Sequence, residues 1–195
     1  MHPLEFYLKL GFEHIANLNG IDHILFLIVL CAAYKTNEWK NILRLATAFT
    51  VGHSVTLFLV SFGIFSLPSH IIKILIPLTI ILTALDNVIK KEAQGKTSGM
   101  RRNYFIALFF GLIHGMDFSN YFKALIMSPD EIVIPLLGFN IGIELAQLLI
   151  VFFILGVAYL TLNILKLRHR DWNLFISGAA VGIALLSMIE IIFGK

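Results

Sequence analysis

Long apolar runs alternate with short polar stretches along the chain, and the lengths of the runs predict membrane-spanning helices. Six apolar segments stand out, at about residues 19–34, 42–64, 69–90, 103–127, 132–164 and 173–193. A bilayer core about 30 Å thick needs about 20 apolar residues in a helix, so we expect each segment to cross it. The fifth is longer than a span requires and is expected to tilt or to extend beyond the membrane.

The segment that precedes the first apolar run, residues 1–17, has a mixed pattern instead. In PLEFYLKLGFEHI, the apolar Leu4, Leu8 and Ile15 are interspersed with charged residues, which predicts an amphipathic helix lying in the membrane interface. The NLNG stretch that follows breaks the helix before the first span. We therefore expect an all-α polytopic membrane protein, with one domain over residues 1–195. The charges near the start do not fit a cleaved signal peptide.

Composition supports the membrane assignment and excludes several function classes. Of the 195 residues, 58% are hydrophobic and 14% are charged, whereas a soluble domain has about a quarter charged residues. The single cysteine, Cys31, rules out a disulfide within the chain. No basic patch interleaved with aromatic residues suggests a nucleic-acid partner, and no Walker-type phosphate loop suggests a nucleotide. The expected surroundings are a lipid bilayer.

Lysine and arginine are distributed unevenly between the loops, which predicts the orientation. The loops after the first, third and fifth spans are basic, with Lys35 and Lys40, then Lys90, Lys91, Lys96, Arg101 and Arg102, then Lys166, Arg168 and Arg170. The SLPSH and SPDEI turns after the second and fourth spans have no basic residue other than a histidine. By the positive-inside rule, the basic loops are cytoplasmic and both termini lie outside.

Six ionisable side chains fall inside four of the predicted spans, all between the outer boundary and the midplane: Asp22, His23, His53, His114, Asp117 and Glu144. An ionisable group at such depth costs several kcal/mol unless it faces the bundle interior and is paired or bound. Their shared depth therefore predicts one internal site. Imidazole with carboxylate and without thiolate suits a borderline divalent ion such as Ni²⁺, Co²⁺ or Zn²⁺.

Other polar residues are expected to support this site or to form a path from it. Asn140, Glu144 and Gln147 have i, i+4 and i+7 spacing and so form one stripe, and Ser54 belongs to a similar stripe beside His53. Asn140, Gln147 and Ser54 could orient ligands. His14 either caps the interfacial helix or covers the site. A third stripe reaches the inner end of its span, with Thr79, Thr83 and Asp86. It predicts an inner path, although Asp86 could instead pair with Lys90.

Four motifs, in order between about residues 11 and 150, resemble those of the HupE/UreJ family: GFEHIANLNGIDHILFLIVL, FTVGHSVTL, FGLIHGMDF and LGFNIGIELAQ. These are small polytopic membrane proteins associated with hydrogenase and urease systems and regarded as nickel or cobalt permeases. The resemblance places the family's conserved motifs on Gly20, Asp22 and His23, on His53 and Ser54, on His114 and Gly115, and on Asn140, Glu144 and Gln147. The chain departs from the family pattern at Met116–Asp117, which adds a carboxylate, and at Ala146.

The resemblance implies a bacterial cytoplasmic-membrane protein that transports nickel or cobalt, with a homo-oligomer or metalloenzyme-maturation proteins as further candidate partners. The residues themselves allow a second interpretation. Three histidines and a carboxylate could hold a catalytic Zn²⁺, with Glu144 or Asp117 as general base, in an intramembrane hydrolase that acts on a lipid or lipid-linked substrate at the outer leaflet. The enzyme predicts a closed inner half, whereas the permease predicts a path on both sides of the site.

Overall fold

The computed structural model of the chain describes residues 2–17, 21–89, 97–126 and 132–194, and all regular structure in these ranges is helical. The α-helices are α1 Pro3–Ala16, α2 Asp22–Ala32, α3 Trp39–Ser61, α4 Ser69–Ile89, α5 Thr97–Leu125, α6 Val133–Tyr159 and α7 His169–Phe193. A 3₁₀ turn, Thr36–Glu38, precedes α3, and a π-helical stretch, Leu160–Ile164, continues α6. Gly20, Lys90, Lys91, Lys96, Asp130 and Glu131, which entered the predictions above, lie outside the described residues.

Four helical stretches of the described residues are long and apolar enough to cross a membrane: Thr36–Ser61, Ser69–Ile89, Val133–Ile164 and His169–Phe193. They correspond to the second, third, fifth and sixth predicted segments. The fourth segment is part of α5, a 29-residue helix that begins before residue 103 and includes the charged Arg101 and Arg102. The first segment, 19–34, was expected to cross as one helix. Its helix α2 has only 11 residues, which span about 16 Å and cannot cross alone.

The helix predicted over residues 1–17 is present as α1, but it packs lengthwise against α6 as part of the bundle. A Cβ on Gly11 would collide with the Phe139 carbonyl oxygen, and a Cβ on Gly142 would collide with the Leu8 carbonyl oxygen. Glycine therefore lets the two backbones touch, as is common between membrane helices. Ile15, in the last turn of α1, is fully buried.

Hydrogen bonds between helices define two ends of the bundle. At the end that we call the Arg102 end, the Arg102 guanidinium pairs with Asp86, and Asn103 Nδ2 donates to the Tyr34 hydroxyl at 2.7 Å. At the opposite end, the Tyr7 end, the Tyr7 hydroxyl donates to the Leu125 carbonyl at 3.0 Å. The ends of α2 and α4 thus meet the start of α5 at one end, and α1 meets the end of α5 at the other.

Helices α1 and α2 together make a single passage between these ends. Tyr7 in α1 lies at the Tyr7 end, whereas the Val29 carbonyl of α2 accepts a hydrogen bond from Asn87, one residue after Asp86 at the Arg102 end. The 14 residues of α1 and the 11 of α2 rise about 21 Å and about 16 Å, so the two helices together are long enough to reach across a bilayer core. Eight of the eleven residues of α2 are buried, so this half-helix lies inside the bundle.

Candidate metal centre

Four histidines from four helices converge where α1 ends and α2 begins. One ring nitrogen from each of His14, His23 and His53 lies within 4.8 Å of the others. The ring of His114 is centred 5.1 Å from that of His23, and the ring of His14 is centred 4.7 Å from His23 and 5.4 Å from His53. We call these four residues the imidazole cluster.

The imidazole cluster is buried and its hydrogen-bonding capacity is largely unused. His53 and His114 are 0% exposed and His23 is 6% exposed. Five ring nitrogens have no hydrogen-bond partner among the described residues: His14 Nε2, His23 Nε2, His53 Nδ1, His53 Nε2 and His114 Nδ1. Buried polar atoms in native proteins are almost always paired, because an unpaired one costs about 1–3 kcal/mol. Five in one place make the imidazole cluster a candidate site for a ligand.

The depth of the imidazole cluster within the bundle follows from the number of residues between its members, or their contacts, and the helix ends. The Thr79 hydroxyl lies 2.9 Å from His114 Nε2, and Thr79 is ten residues from each end of α4. His53 is fourteen residues after Trp39 and eight before Ser61 in α3. The cluster therefore lies at the middle of the bundle and extends towards the Tyr7 end.

Phenylalanine rings enclose the imidazoles on both sides. Phe118 and Phe139 stack on each other with centroids 4.9 Å apart, and Phe118 is 4.3 Å from the His14 ring. Around His114, Phe49 of α3 and Phe26 of α2 lie 5.1 and 5.6 Å from the ring. These rings exclude water, which strengthens any electrostatic interaction inside the cluster. The sequence analysis gave phenylalanine no part in the site, because an apolar residue in an apolar run carries no distinguishing signal.

The donor set fits a borderline transition metal. Neutral imidazole is a good ligand for Zn²⁺, Ni²⁺ and related ions. Nitrogens bound about 2.1 Å from one ion are about 3.4 Å apart in a tetrahedral site. The nitrogens of His14, His23 and His53 are at most 4.8 Å apart, so small side-chain movements are enough to bring them around one ion.

The carboxylates predicted as ligands lie elsewhere. Among the described residues, the group of atoms within 4.8 Å contains no carboxylate. Asp22 is half-buried beside His23, and its charge interacts with that of Asp117. Asp117 is exposed and its charge also interacts with that of Lys73, near the start of α4. Since α4 begins at the Tyr7 end, this pair of acids lies on that side of the cluster.

Glu144 and its neighbours form a polar seam between α3 and α6. Three hydroxyls of α3 lie within hydrogen-bond distance of three side chains of α6, in the pairs Thr47–Glu144 at 2.6 Å, Thr50–Gln147 at 2.9 Å and Ser54–Asn140 at 2.5 Å. The predicted stripes on the two helices thus face each other. Their observed contacts join helices, and a ligand role for Glu144 stays a prediction.

A cavity of about 250 Å³ lies between the imidazole cluster and the Arg102 end. Its apolar wall includes Phe26 and Phe110, and its polar lining comes from Tyr34, Thr83, Asp86, Asn87 and Asn103. Thr83 donates to the Thr79 carbonyl at 2.8 Å, so the stripe of Thr79, Thr83 and Asp86 leads from His114 into the cavity. Asp86 accepts hydrogen bonds from Arg102 at 3.0 and 3.2 Å, so the described pairing of Asp86 is with Arg102.

His14 is the residue whose role the sequence analysis underestimated. It was expected to cap a helix or to cover the site, yet its ring lies among the other three. The prediction of an interfacial helix over residues 1–17 placed His14 above the site. One sequence does not reveal that α1 enters the bundle.

Comparison with known proteins supports the resemblance seen in the motifs. A family model described as HupE / UreJ protein matches residues 1–192, nearly the whole chain. No curated protein and no solved structure matches the chain.

Proposed function

The chain belongs to the HupE / UreJ family, and from that premise we propose that it carries a divalent transition-metal ion through the imidazole cluster, with nickel or cobalt as the favoured substrate. The family implies a nickel- or cobalt-transport-associated function in general, and together with the long apolar helices it indicates an integral membrane protein. We propose that the membrane is a bacterial cytoplasmic membrane, with the Arg102 end inside because the basic loops belong there.

The observation that carries the proposal is the cavity beyond the cluster. A permease needs a path on both sides of its site, and here the acids Asp22 and Asp117 lie on one side and the 250 Å³ cavity lies on the other. The break between α1 and α2 is a second supporting feature, because transporters commonly build mid-membrane sites from discontinuous helices.

In the proposed sequence of events, a hydrated cation is attracted by the charges of Asp22 and Asp117 at the Tyr7 end. It exchanges water for the nitrogens of His14, His23, His53 and His114. It then passes Thr79 and Thr83 into the cavity and leaves beside Asp86. Conduction requires binding that is weak enough for release, so the proposal predicts a cation that exchanges readily.

The intramembrane zinc hydrolase has less support. Its proposed bases were Asp117, which is exposed, and Glu144. The Glu144 carboxylate is instead hydrogen-bonded to Thr47 at 2.6 Å. The enzyme also requires a closed inner half, whereas the cavity lies there.

Uptake into proteoliposomes tests the proposal. Purified protein is reconstituted with a metal-sensitive dye inside, and Ni²⁺ or Co²⁺ is added outside to the wild type, His53→Ala and His70→Ala. We expect uptake in the wild type and in His70→Ala, since His70 is exposed at the start of α4, and none in His53→Ala. Uptake that survives His53→Ala refutes the proposal. A stoichiometric zinc ion that resists chelation, with no uptake, replaces it with the hydrolase.

A further inference from the structure

We propose that Thr79 is a positioning residue for the cation site: it holds His114 in the tautomer that carries its proton on Nε2, so that Nδ1 is free to bind the cation. This inference rests on the proposed function of the imidazole cluster. It concerns a residue of α4, a helix that contributes no histidine to the cluster.

The hydrogen bonds of the Thr79 hydroxyl set the direction of its contact with His114. The hydroxyl oxygen lies 2.7 Å from the Ile76 carbonyl oxygen and 2.9 Å from His114 Nε2. A hydroxyl has one proton, and a carbonyl oxygen can only accept. The Thr79 proton is therefore committed to Ile76, and the Thr79 oxygen accepts a proton from His114 Nε2.

A neutral imidazole with its proton on Nε2 has its lone pair on Nδ1. In His114, Nδ1 is the nitrogen that is buried without a partner among the described residues, and the ring lies 5.1 Å from that of His23. The Thr79 contact thus leaves the lone pair where a cation can use it. This is the usual arrangement around metal-bound histidine, where a partner on the second nitrogen fixes tautomer and ring orientation.

The opposite tautomer has a distinct structural cost. With the proton on Nδ1, the Thr79 hydroxyl would have to leave Ile76 and donate to Nε2. The Nδ1–H group would then be a buried donor without a partner, and it would exclude a cation from that position. That change needs only a rotation of the hydroxyl proton, so the cost of the opposite tautomer lies in the lost bond to Ile76 and in the unpaired Nδ1–H.

Nitrogen-15 NMR of the metal-free protein tests the tautomer directly. Protein labelled at histidine nitrogen distinguishes protonated from unprotonated ring nitrogens, and the signals that disappear in His114→Gln belong to His114. We expect an unprotonated Nδ1 and a protonated Nε2 in the wild type and in Thr79→Ser, and a mixture of tautomers in Thr79→Val. A protonated Nδ1 in the wild type overturns the proposal, and so does an unchanged tautomer in Thr79→Val.

Nickel affinity, measured by titration on the same proteins, provides the second readout. Loss of such a supporting contact weakens metal binding about 10–100-fold, so Thr79→Val should lose affinity by this factor and Thr79→Ser should not. Thr56→Val is the matched control, since Thr56 is also buried and bridges helices through the Leu112 carbonyl at 2.8 Å, without an imidazole contact. Wild-type affinity in Thr79→Val overturns the proposal.

The two readouts separate failure of this inference from failure of the proposed function. If the wild type binds no nickel or cobalt, the cation site is refuted, while the tautomer is still measured in metal-free protein. If Thr79→Val does not fold, the wild type and Thr79→Ser decide the question, because the hydroxyl contact predicts the same tautomer in both.

Discussion

His53→Leu should make the metal-free protein more stable while abolishing its metal binding. The imidazole of His53 is 0% exposed and neither of its nitrogens has a partner among the described residues. Each unpartnered buried group costs about 1–3 kcal/mol, and His53→Leu removes two of them. Imperfect packing of a leucine of similar volume reduces that gain in stability by at most about 1.5 kcal/mol. We expect a net gain of about 0.5–6 kcal/mol, or at least about 1 °C in melting temperature for a domain of this size.

Fluorescence melting in detergent measures this change, because the two tryptophans, Trp39 and Trp172, report on the ends of α3 and α7. The experiment is run without metal and again with Ni²⁺. A cation present at about 100 times its dissociation constant stabilises a folded protein by about 2.7 kcal/mol. Nickel should therefore raise the melting temperature of the wild type and leave that of His53→Leu unchanged. His70→Leu, at an exposed position, should behave as wild type.

Two results would refute this reasoning. If His53→Leu melts well below the wild type without metal, the imidazole is a satisfied structural residue and the apparent lack of partners is misleading. If nickel still stabilises His53→Leu, the cation binds at a site that does not include His53. The predicted outcome is unusual, since most point substitutions destabilise a protein, by about 0.5–3 kcal/mol.

Three further predictions follow from the same geometry. Arg102→Gln should loosen the contact with Asp86 and so open the cavity that Thr83 lines. The assay measures how fast an impermeant thiol reagent, added at the Arg102 end, labels Thr83→Cys in a Cys31→Ser background, and Arg102→Gln should raise that rate. Arg168→Gln, which breaks the exposed pair with Asp171, should not change it. Gly142→Val should lower the free energy of unfolding by about 1–3 kcal/mol, because its side chain meets the Leu8 carbonyl. Gly156→Val, with nothing within 4 Å of its Cβ position, should not lower it. Fluorescence melting distinguishes the two variants. Nickel affinity should fall once the pH is low enough to protonate the imidazoles of the cluster, because a protonated ring has no lone pair on either nitrogen; affinity that persists down to the pH at which the protein unfolds would contradict imidazole ligation.

Hydropathy alone located most of the helices and three members of the cluster. Apolar runs long enough to span a membrane predicted α3, α4, α6 and α7, and their polar interruptions pointed to His53 and, on other helices, to His23 and His114. Polar interruptions are informative because burying an imidazole in an apolar span is costly. Each buried imidazole therefore indicates that something nearby pairs with it or binds it. The family assignment made from the motifs is confirmed by the match over residues 1–192.

The sequence did not reveal the divided passage, and the reason is physical. The contact between α1 and α6 depends on Gly11 and Gly142, which bring backbones together and leave no hydrophobic stripe to recognise. Helix α1 keeps exposed charges at Glu5, Lys9 and Glu13, so its pattern resembles that of a surface helix. The direction in which a helix presents a side chain depends on the neighbouring helices. The sequence alone therefore could not decide whether Glu144 faces the imidazole cluster or the polar seam with Thr47.

The break between α1 and α2 also explains why an acid stands next to His23. The last carbonyls of α1 give its C-terminus a partial negative charge beside His14, which favours a cation there. The N-terminus of α2 brings a partial positive charge to the same place, which opposes a cation. Asp22 is in the first turn of α2, where a carboxylate offsets that positive end by about 0.3–1 kcal/mol. An uninterrupted helix would supply neither end, so dividing the passage gives the imidazole cluster a favourable field that histidine side chains alone do not provide.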